Sequence, residues 1–148
     1  MQFRSALPLD SLECVRIRGL TRENAVSEQR LAALGITAES WANDVRTGEL
    51  QGFVCMVGTD MAGYCYGASK TGEVVVLALQ PAYEKLGIGR KLLSLVVAQL
   101  QSLGHARLFL GCSPDPAVRS HGFYRHLGWQ STGHFNHHGD EVLELVVQ

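Results

Sequence analysis

Residues 73–79, EVVVLAL, place an unbroken apolar run behind one acid. A strand with one wet face alternates apolar and polar residues, so a run apolar on both faces reads as a central strand covered on both sides. Such a strand needs helices above and below its sheet, which makes α/β the expected class. The next stretch, QPAYEKLGIGRKLL from Gln80 to Leu93, stops the strand at Pro81 and opens a helix on Gly-Ile-Gly. Ile88, Leu92, Val96 and Leu100 recur every four residues along it, and Gly104 is placed to end it.

The remaining segments fit around that pair. QFRSA alternates as a first strand, and Asp10 is placed to cap a helix through SLECVRIRG that Gly19 ends. ENAVSEQRLAAL and AESWANDVR have helical periodicity on either side of GIT. GFVCMV and AGYCYGA read as strands joined by the hairpin signal GTDM, and KTG turns the chain into EVVVLAL. ARLFLGC is a second buried strand. PAVRSHGFYRHLG is a helix with Pro116 near its start and Gly128 at its end, and WQSTGHF and EVLELVV are closing strands. The order predicts a mixed, largely antiparallel sheet with helices on both faces. With no repeat or linker in 148 residues, a single domain over 1–148 is expected.

A formal net charge of −1 gives no global attraction to nucleic acid or an anionic membrane, so neither is an expected partner. No apolar run reaches the roughly 20 residues of a membrane span. The opening MQFRSALPLD lacks a secretory apolar stretch, which gives a cytoplasmic expectation. Cys14, Cys55, Cys65 and Cys112 are spread without metal-ligand spacing and sit among apolar neighbours, as free buried thiols do. His134, His137 and His138 in HFNHHGDE fall on a hairpin turn, whose tip does not easily close a ligand shell; no metal is expected.

The Gly-Ile-Gly turn raises the question of what it holds. The first turn of a helix leaves N–H groups unpaired and carries partial positive charge, so an anion there satisfies both. Gly87 and Gly89 let the backbone approach a phosphate closely, and Lys85, Arg90 and Lys91 add positive charge. The alternative is ordinary helix-start packing. Neither familiar nucleotide motif is present: there is no G-x-x-x-x-G-K-[ST], and Leu92 stands where G-x-G-x-x-G needs its third glycine.

LALQPAYEKLGIGRKLL resembles the acetyl-CoA signature of the GNAT superfamily of N-acetyltransferases, [QR]-x-x-G-x-[GA]. GFYRHLGW resembles that family's second recurrent segment, a Phe-Tyr pair followed by Gly and an aromatic, with ARLFLGC between the two as the next strand. The resemblance is strong from about Glu73 to Trp129 and rests on element order elsewhere. It implies a GNAT-like sheet of roughly six to seven strands, splayed where acetyl-CoA enters between VLAL and LFLGC. It further implies main-chain contacts from Leu77 and Leu79, and a pyrophosphate held by Lys85, Leu86, Gly87, Ile88, Gly89 and Arg90. Glu84 departs from the pattern, which has Gln or Arg there. An acid beside a pyrophosphate is unfavourable unless it points to solvent.

The implied activity moves an acetyl group from acetyl-CoA to a primary amine by direct attack in a ternary complex. The acceptor is a small molecule, peptide N-terminus or lysine. Neutralising a lysine-type amine at pH 7 costs roughly 4.6 kcal/mol, and an α-amine only about 1.4. Glu73 lies fourteen residues before Gly87, the spacing of the catalytic glutamate in the histone-acetylating branch, and is the expected base; a solvated strand-start residue is the alternative. Tyr124 matches the tyrosine that protonates the leaving thiolate in many members, with Phe123 as the buried anchor of its helix. His121, three residues before Tyr124, is a reserve base, and Cys112 as a covalent acyl carrier is disfavoured because direct attack needs none. The rival from another class is a non-catalytic acyl-CoA-binding sensor or interaction module.

Overall fold

A computed structural model describes residues 1–146. In chain order the elements are β1 (Gln2–Ser5), α1 (Ser11–Arg18), α2 (Glu28–Ala33), α3 (Ala38–Thr47), β2 (Leu50–Val57), β3 (Asp60–Ala68) and β4 (Val74–Leu79). Then follow α4 (Ile88–Ser102), β5 (Arg107–Cys112), α5 (Arg119–His126), β6 (Gln130–Phe135) and β7 (Glu141–Val146). The last residue of the EVLELVV expectation, Val147, lies outside the described residues.

The mixed α/β class is as expected, but the strands form two antiparallel sheets. One has the order β1-β2-β3-β4 and the other β5-β7-β6. Among the described residues they meet at one parallel bridge, Glu73 to Phe109, where the Phe109 N–H donates to the Gly72 carbonyl at 3.2 Å. Beyond that point β4 and β5 separate. The register supplies a cause. Tyr66 pairs with Val76 and Gly67 with Val74, so Val75 is left without a partner as a β-bulge, which bends a strand and increases its twist.

Helices cover both faces. On one face Ile88, Leu92, Val96 and Leu100 of α4 are all at most 1% exposed and pack with Leu108, Leu110, Leu143, Tyr124 and Trp129. Each such side chain contributes about 1.5–3 kcal/mol of burial. On the other face α1, α2 and α3 cover an aromatic cluster in which Trp41, Tyr64 and Tyr66 meet edge-on. Tyr64 donates from its hydroxyl to the Cys14 carbonyl at 2.9 Å, fixing α1 on the sheet. The sequential helices are shorter than their periodicity suggests. Ser27 accepts the Arg30 N–H and starts α2 at Glu28, while Val26 donates back to Arg18, leaving residues 24–26 outside the helix.

Asp10 does not cap α1. Its carboxylate accepts two bonds from the Arg4 guanidinium, at 2.8 and 2.9 Å, and the Leu7 N–H at 2.7 Å, locking β1 to a single 3₁₀ turn over Pro8–Asp10. Pro116 likewise precedes α5 by a turn: the helix begins at Arg119, after Val118 donates to Asp115. All four cysteines are free and buried. Among the described residues no helix is long and apolar enough to cross a membrane.

Candidate active site

The gap between β4 and β5 is a cleft of about 240 Å3, walled by β4 on one side, Leu110 to Cys112 on another and α5 on a third. The last residue of α1, Arg18, and the segment linking α1 to α2, with Arg22 and Glu23, close it. Its narrow end is the Glu73–Phe109 bridge, and its wide end leads to the turn before α4.

The edge of β4 that faces this gap carries unused hydrogen-bonding groups. Gln80 donates its N–H to Ala62 of β3 at 2.9 Å. Bonding direction alternates along an antiparallel strand, so Ala78 and Val76 also face β3, while Leu77 and Leu79 present N–H and C=O to the gap. These are the two residues expected to make main-chain contacts. Their side chains turn instead toward α4: a Cβ at Gly89 would meet Leu79 Cδ1 at 3.4 Å, Phe123 at 3.8 Å and Leu77 at 3.9 Å. Leu79 can lie there because Gly63 on β3 has no side chain; a Cβ would sit 2.3 Å from Leu79 Cδ2.

At the wide end the chain passes through a short 3₁₀ turn, Pro81–Tyr83, tied down by Tyr83 and Gln80 donating to Asp60 at 2.7 and 3.2 Å. Lys85 and Gly87 then adopt left-handed φ values of 64° and 82°. Gly87 is the N-cap residue of α4, and the first helical bond there runs from Lys91 N–H to Gly87 O. Among the described residues, the N–H groups of residues 85–90 have no acceptor. Six N–H groups free on one turn are the kind of donor set that an anion satisfies at a helix N-terminus. Of the expected cofactor residues, Leu77, Leu79 and Gly89 line the cleft, whereas Lys85, Leu86, Gly87, Ile88 and Arg90 form the turn beyond it. Ile88 is buried to 1%, so only its backbone is available.

Tyr124 is in the cleft wall and is the buried member of its pair, while Phe123 is half-buried, the reverse of the expected anchoring. Phe123 and Trp129 both pack edge-on against the Tyr124 ring, at 5.1 and 6.1 Å, and so fix it. Burial, with the Cys65 and Cys112 thiols nearby, pushes the phenol well above its usual range, so it is a permanent hydrogen-bond donor. One turn before it, the buried Ser120 hydroxyl also lines the cleft, without a partner among the described residues. An unpaired buried hydroxyl suits a polar ligand arm rather than an apolar one.

Glu73 is half-buried at the closed end and is not part of the cleft wall. Burial raises its pKa, the direction a general base near neutral pH requires. Cys112 lines the cleft, but burial pushes its thiol up, which keeps it protonated and a poor nucleophile. His121 is half-buried on α5, and among the described residues no cluster of side chains is arranged to hold a metal ion.

Glu84 does not point to solvent. Its carboxylate is 10% exposed and accepts from Arg22 and from Arg119. These arginines were missed in the sequence. Arg22 had no local signal, but Arg119 did: a cation at the first position of a helix opposes the helix dipole and needs an anion nearby.

Two antiparallel sheets thus splay beside a helix N-terminus, with a tyrosine and a serine lining the gap between them. The sequence profile of the Acetyltransferase (GNAT) family matches residues 13–129, and the chain belongs to that family of acetyl-CoA-dependent acetyltransferases. No curated protein matches it by sequence. Solved structures share the whole architecture. A Desulfovibrio desulfuricans protein described as an acetyltransferase of the GNAT family has a TM-score of 0.80 at 22% identity, covering 99% of each chain. The PaiA N-acetyltransferase of Thermoplasma acidophilum, solved with coenzyme A, has a TM-score of 0.78 at 17% identity over 99% of each chain. YncA of Salmonella typhimurium, solved with acetyl-CoA, has a TM-score of 0.79 at 17% identity, covering 100% of this chain and 94% of its own. At these identities the likeness is one of fold.

Proposed function

We propose that this chain, acting as one domain over 1–148, transfers the acetyl group of acetyl-CoA to a primary amine by direct attack in a ternary complex. The observation that carries this reading is the free edge of β4, where Leu77 and Leu79 face the gap, running into the unpaired N–H groups of residues 85–90. A pantetheine arm is an amide chain and matches such an edge, while the pyrophosphate matches the turn. Lys85, Leu86, Gly87, Ile88, Gly89 and Arg90 hold the phosphates in this reading, mainly by backbone.

Glu73 removes a proton from the bound ammonium, through water, because its carboxylate lies beyond the cleft wall at the strand bridge. The neutral amine attacks the thioester carbonyl and the C–N bond forms; the nitrogen gives up its second proton to solvent as the tetrahedral adduct collapses and the C–S bond breaks. Tyr124 donates a hydrogen bond to the departing sulfur. Its raised pKa makes full proton transfer to a thiolate of pKa about 8.5 unfavourable, so it stabilises charge and solvent completes protonation. The segment joining α1 to α2 and the β6–β7 turn stand at the acceptor's approach. Four buried free thiols suit the reducing cytoplasm.

Incubation with acetyl-CoA, a panel of small amines, peptide N-termini and lysine peptides, and a thiol reagent tests the proposal. Amine-dependent release of free CoA is the expected result. Tight CoA binding with no release for any amine class would move the chain to the sensor reading.

A further inference from the structure

Two guanidinium groups converge on one carboxylate at the wide end of the cleft. Arg22 Nε donates to Glu84 Oε1 and Oε2 at 3.0 and 3.2 Å, and Arg119 Nη1 donates to Oε2. The carboxylate is 10% exposed, but the arginine side chains are 63% and 46% exposed, so their remaining N–H groups are open to a second anion. Arg22 belongs to the segment between α1 and α2, Arg119 opens α5, and Glu84 stands two residues before Leu86 in the anion-binding turn. The same two walls are tied again where the Arg119 N–H donates to Glu23 Oε1 at 3.1 Å. Partly exposed ion pairs contribute little to stability, so folding alone does not explain three charges gathered at the cofactor's entrance.

We propose that Arg22 and Arg119 are ligands of the cofactor's diphosphate and that Glu84 is their internal competitor. The inference rests on the acetyl-CoA reading above. A guanidinium fork donates to a carboxylate or a phosphate with the same geometry. A diphosphate on the N–H groups of residues 85–90 lies beside Glu84 in sequence and draws the two arginines toward itself. Glu84 lowers the affinity of the site, by occupying those donors and by its own charge, and so eases release of the product CoA. The acid where the family pattern has Gln or Arg is then a setting of affinity rather than a defect.

Calorimetric titration of CoA and of 3′-dephospho-CoA into wild type, Glu84→Gln, Arg119→Gln and the double variant tests this, with Arg22→Gln as a second probe and thermal unfolding as the control for folding. Glu84→Gln is expected to tighten CoA by roughly three- to tenfold, and Arg119→Gln to weaken it by about tenfold. The loss from Arg119→Gln should be larger in the Glu84→Gln background, where no competitor remains. Dephospho-CoA should show the same changes. If Glu84→Gln weakens binding and the second substitution adds nothing, Glu84 merely positions the arginines and the proposal is overturned. If the effects vanish with dephospho-CoA, the arginines hold the 3′-phosphate and the diphosphate assignment is overturned. Wild type that binds no CoA sinks the acetyltransferase reading together with this one; wild type that binds while Glu84→Gln changes nothing sinks this one alone.

Discussion

Among the described residues, Glu73 and Phe109 form the single parallel bridge at which the two sheets touch, so the acid proposed as base marks the point from which the gap between β4 and β5 opens. The bridge uses backbone only, with Gly72 accepting from Phe109, which leaves the carboxylate free for chemistry. Glu73→Gln therefore keeps the bridge and removes the base. The rate near neutral pH is expected to fall by roughly two to four powers of ten. Because burial raises the Glu73 pKa from its usual value, wild-type kcat/KM should fall as pH drops through that raised pKa, since the protonated acid accepts nothing. The variant should lose that limb and recover at high pH, where the amine deprotonates unaided. A pH–rate profile of the two proteins checks both points, and a variant with the wild-type profile would transfer the role to His121 or to solvent.

The central strand, the helix after it and the turn between them were legible because each leaves a local mark. EVVVLAL is apolar throughout, the α4 core positions recur every four residues, and Gly87 sits where a left-handed N-cap is needed. The bulge at Val75 was not legible. Val74, Val75 and Val76 are identical residues, and only pairing with Tyr66 and Gly67 across the sheet decides which one is left out. The division into two sheets follows from that same long-range register. Arg22 and Glu84 meet across 62 residues, a contact that no periodicity announces. Asp10 was misread for a related reason. A helix-start acid normally caps, but Arg4 on the neighbouring strand offers a stronger partner.

Gly89 offers a test that keeps cofactor binding apart from folding. A methyl there meets Leu79 Cδ1 at 3.4 Å, an ordinary contact, so Gly89→Ala should fold normally. Gly89→Val adds two further carbons between Leu79, Phe123 and the gap, and CoA affinity should fall by at least about tenfold. Calorimetry with CoA on both variants reads the difference. Unchanged affinity in Gly89→Val would falsify the site at this turn.

The Arg4–Asp10 pair predicts an acid-side loss of stability. Burial alone would raise the Asp10 pKa, but the Arg4 bonds and the Leu7 N–H outweigh it and hold the carboxyl below its usual value. A carboxylate with a lowered folded pKa stabilises the fold above its unfolded pKa of about 3.9, and that contribution disappears as pH falls through the folded value. Asp10→Asn should cost about 2 kcal/mol at pH 7 and less at pH 2 to 3, below the unfolded carboxyl pKa. Urea unfolding at the two pH values checks this; an equal cost at both would remove the charge from the explanation. The cleft lies elsewhere, so CoA affinity should not move.

Tyr124 is held by Phe123 and Trp129 with its hydroxyl free of any protein partner among the described residues, so Tyr124→Phe subtracts one donor and leaves the ring packing in place. A hydrogen bond made only as charge develops on sulfur is worth about 1–1.5 kcal/mol, and kcat should fall by roughly five- to tenfold with both Michaelis constants nearly unchanged. The raised phenol pKa adds a sign. A group that stays protonated to high pH puts no Tyr124 limb in the wild-type profile below pH 10, so the pH dependence of the variant should parallel that of wild type. An acyl donor with a more acidic thiol carries less charge demand on its sulfur and should shrink the difference between the two proteins. Steady-state kinetics with acetyl-CoA and with such a donor decides the role. A rise in the acceptor Michaelis constant at constant kcat would instead make the Tyr124 hydroxyl a contact for the amine.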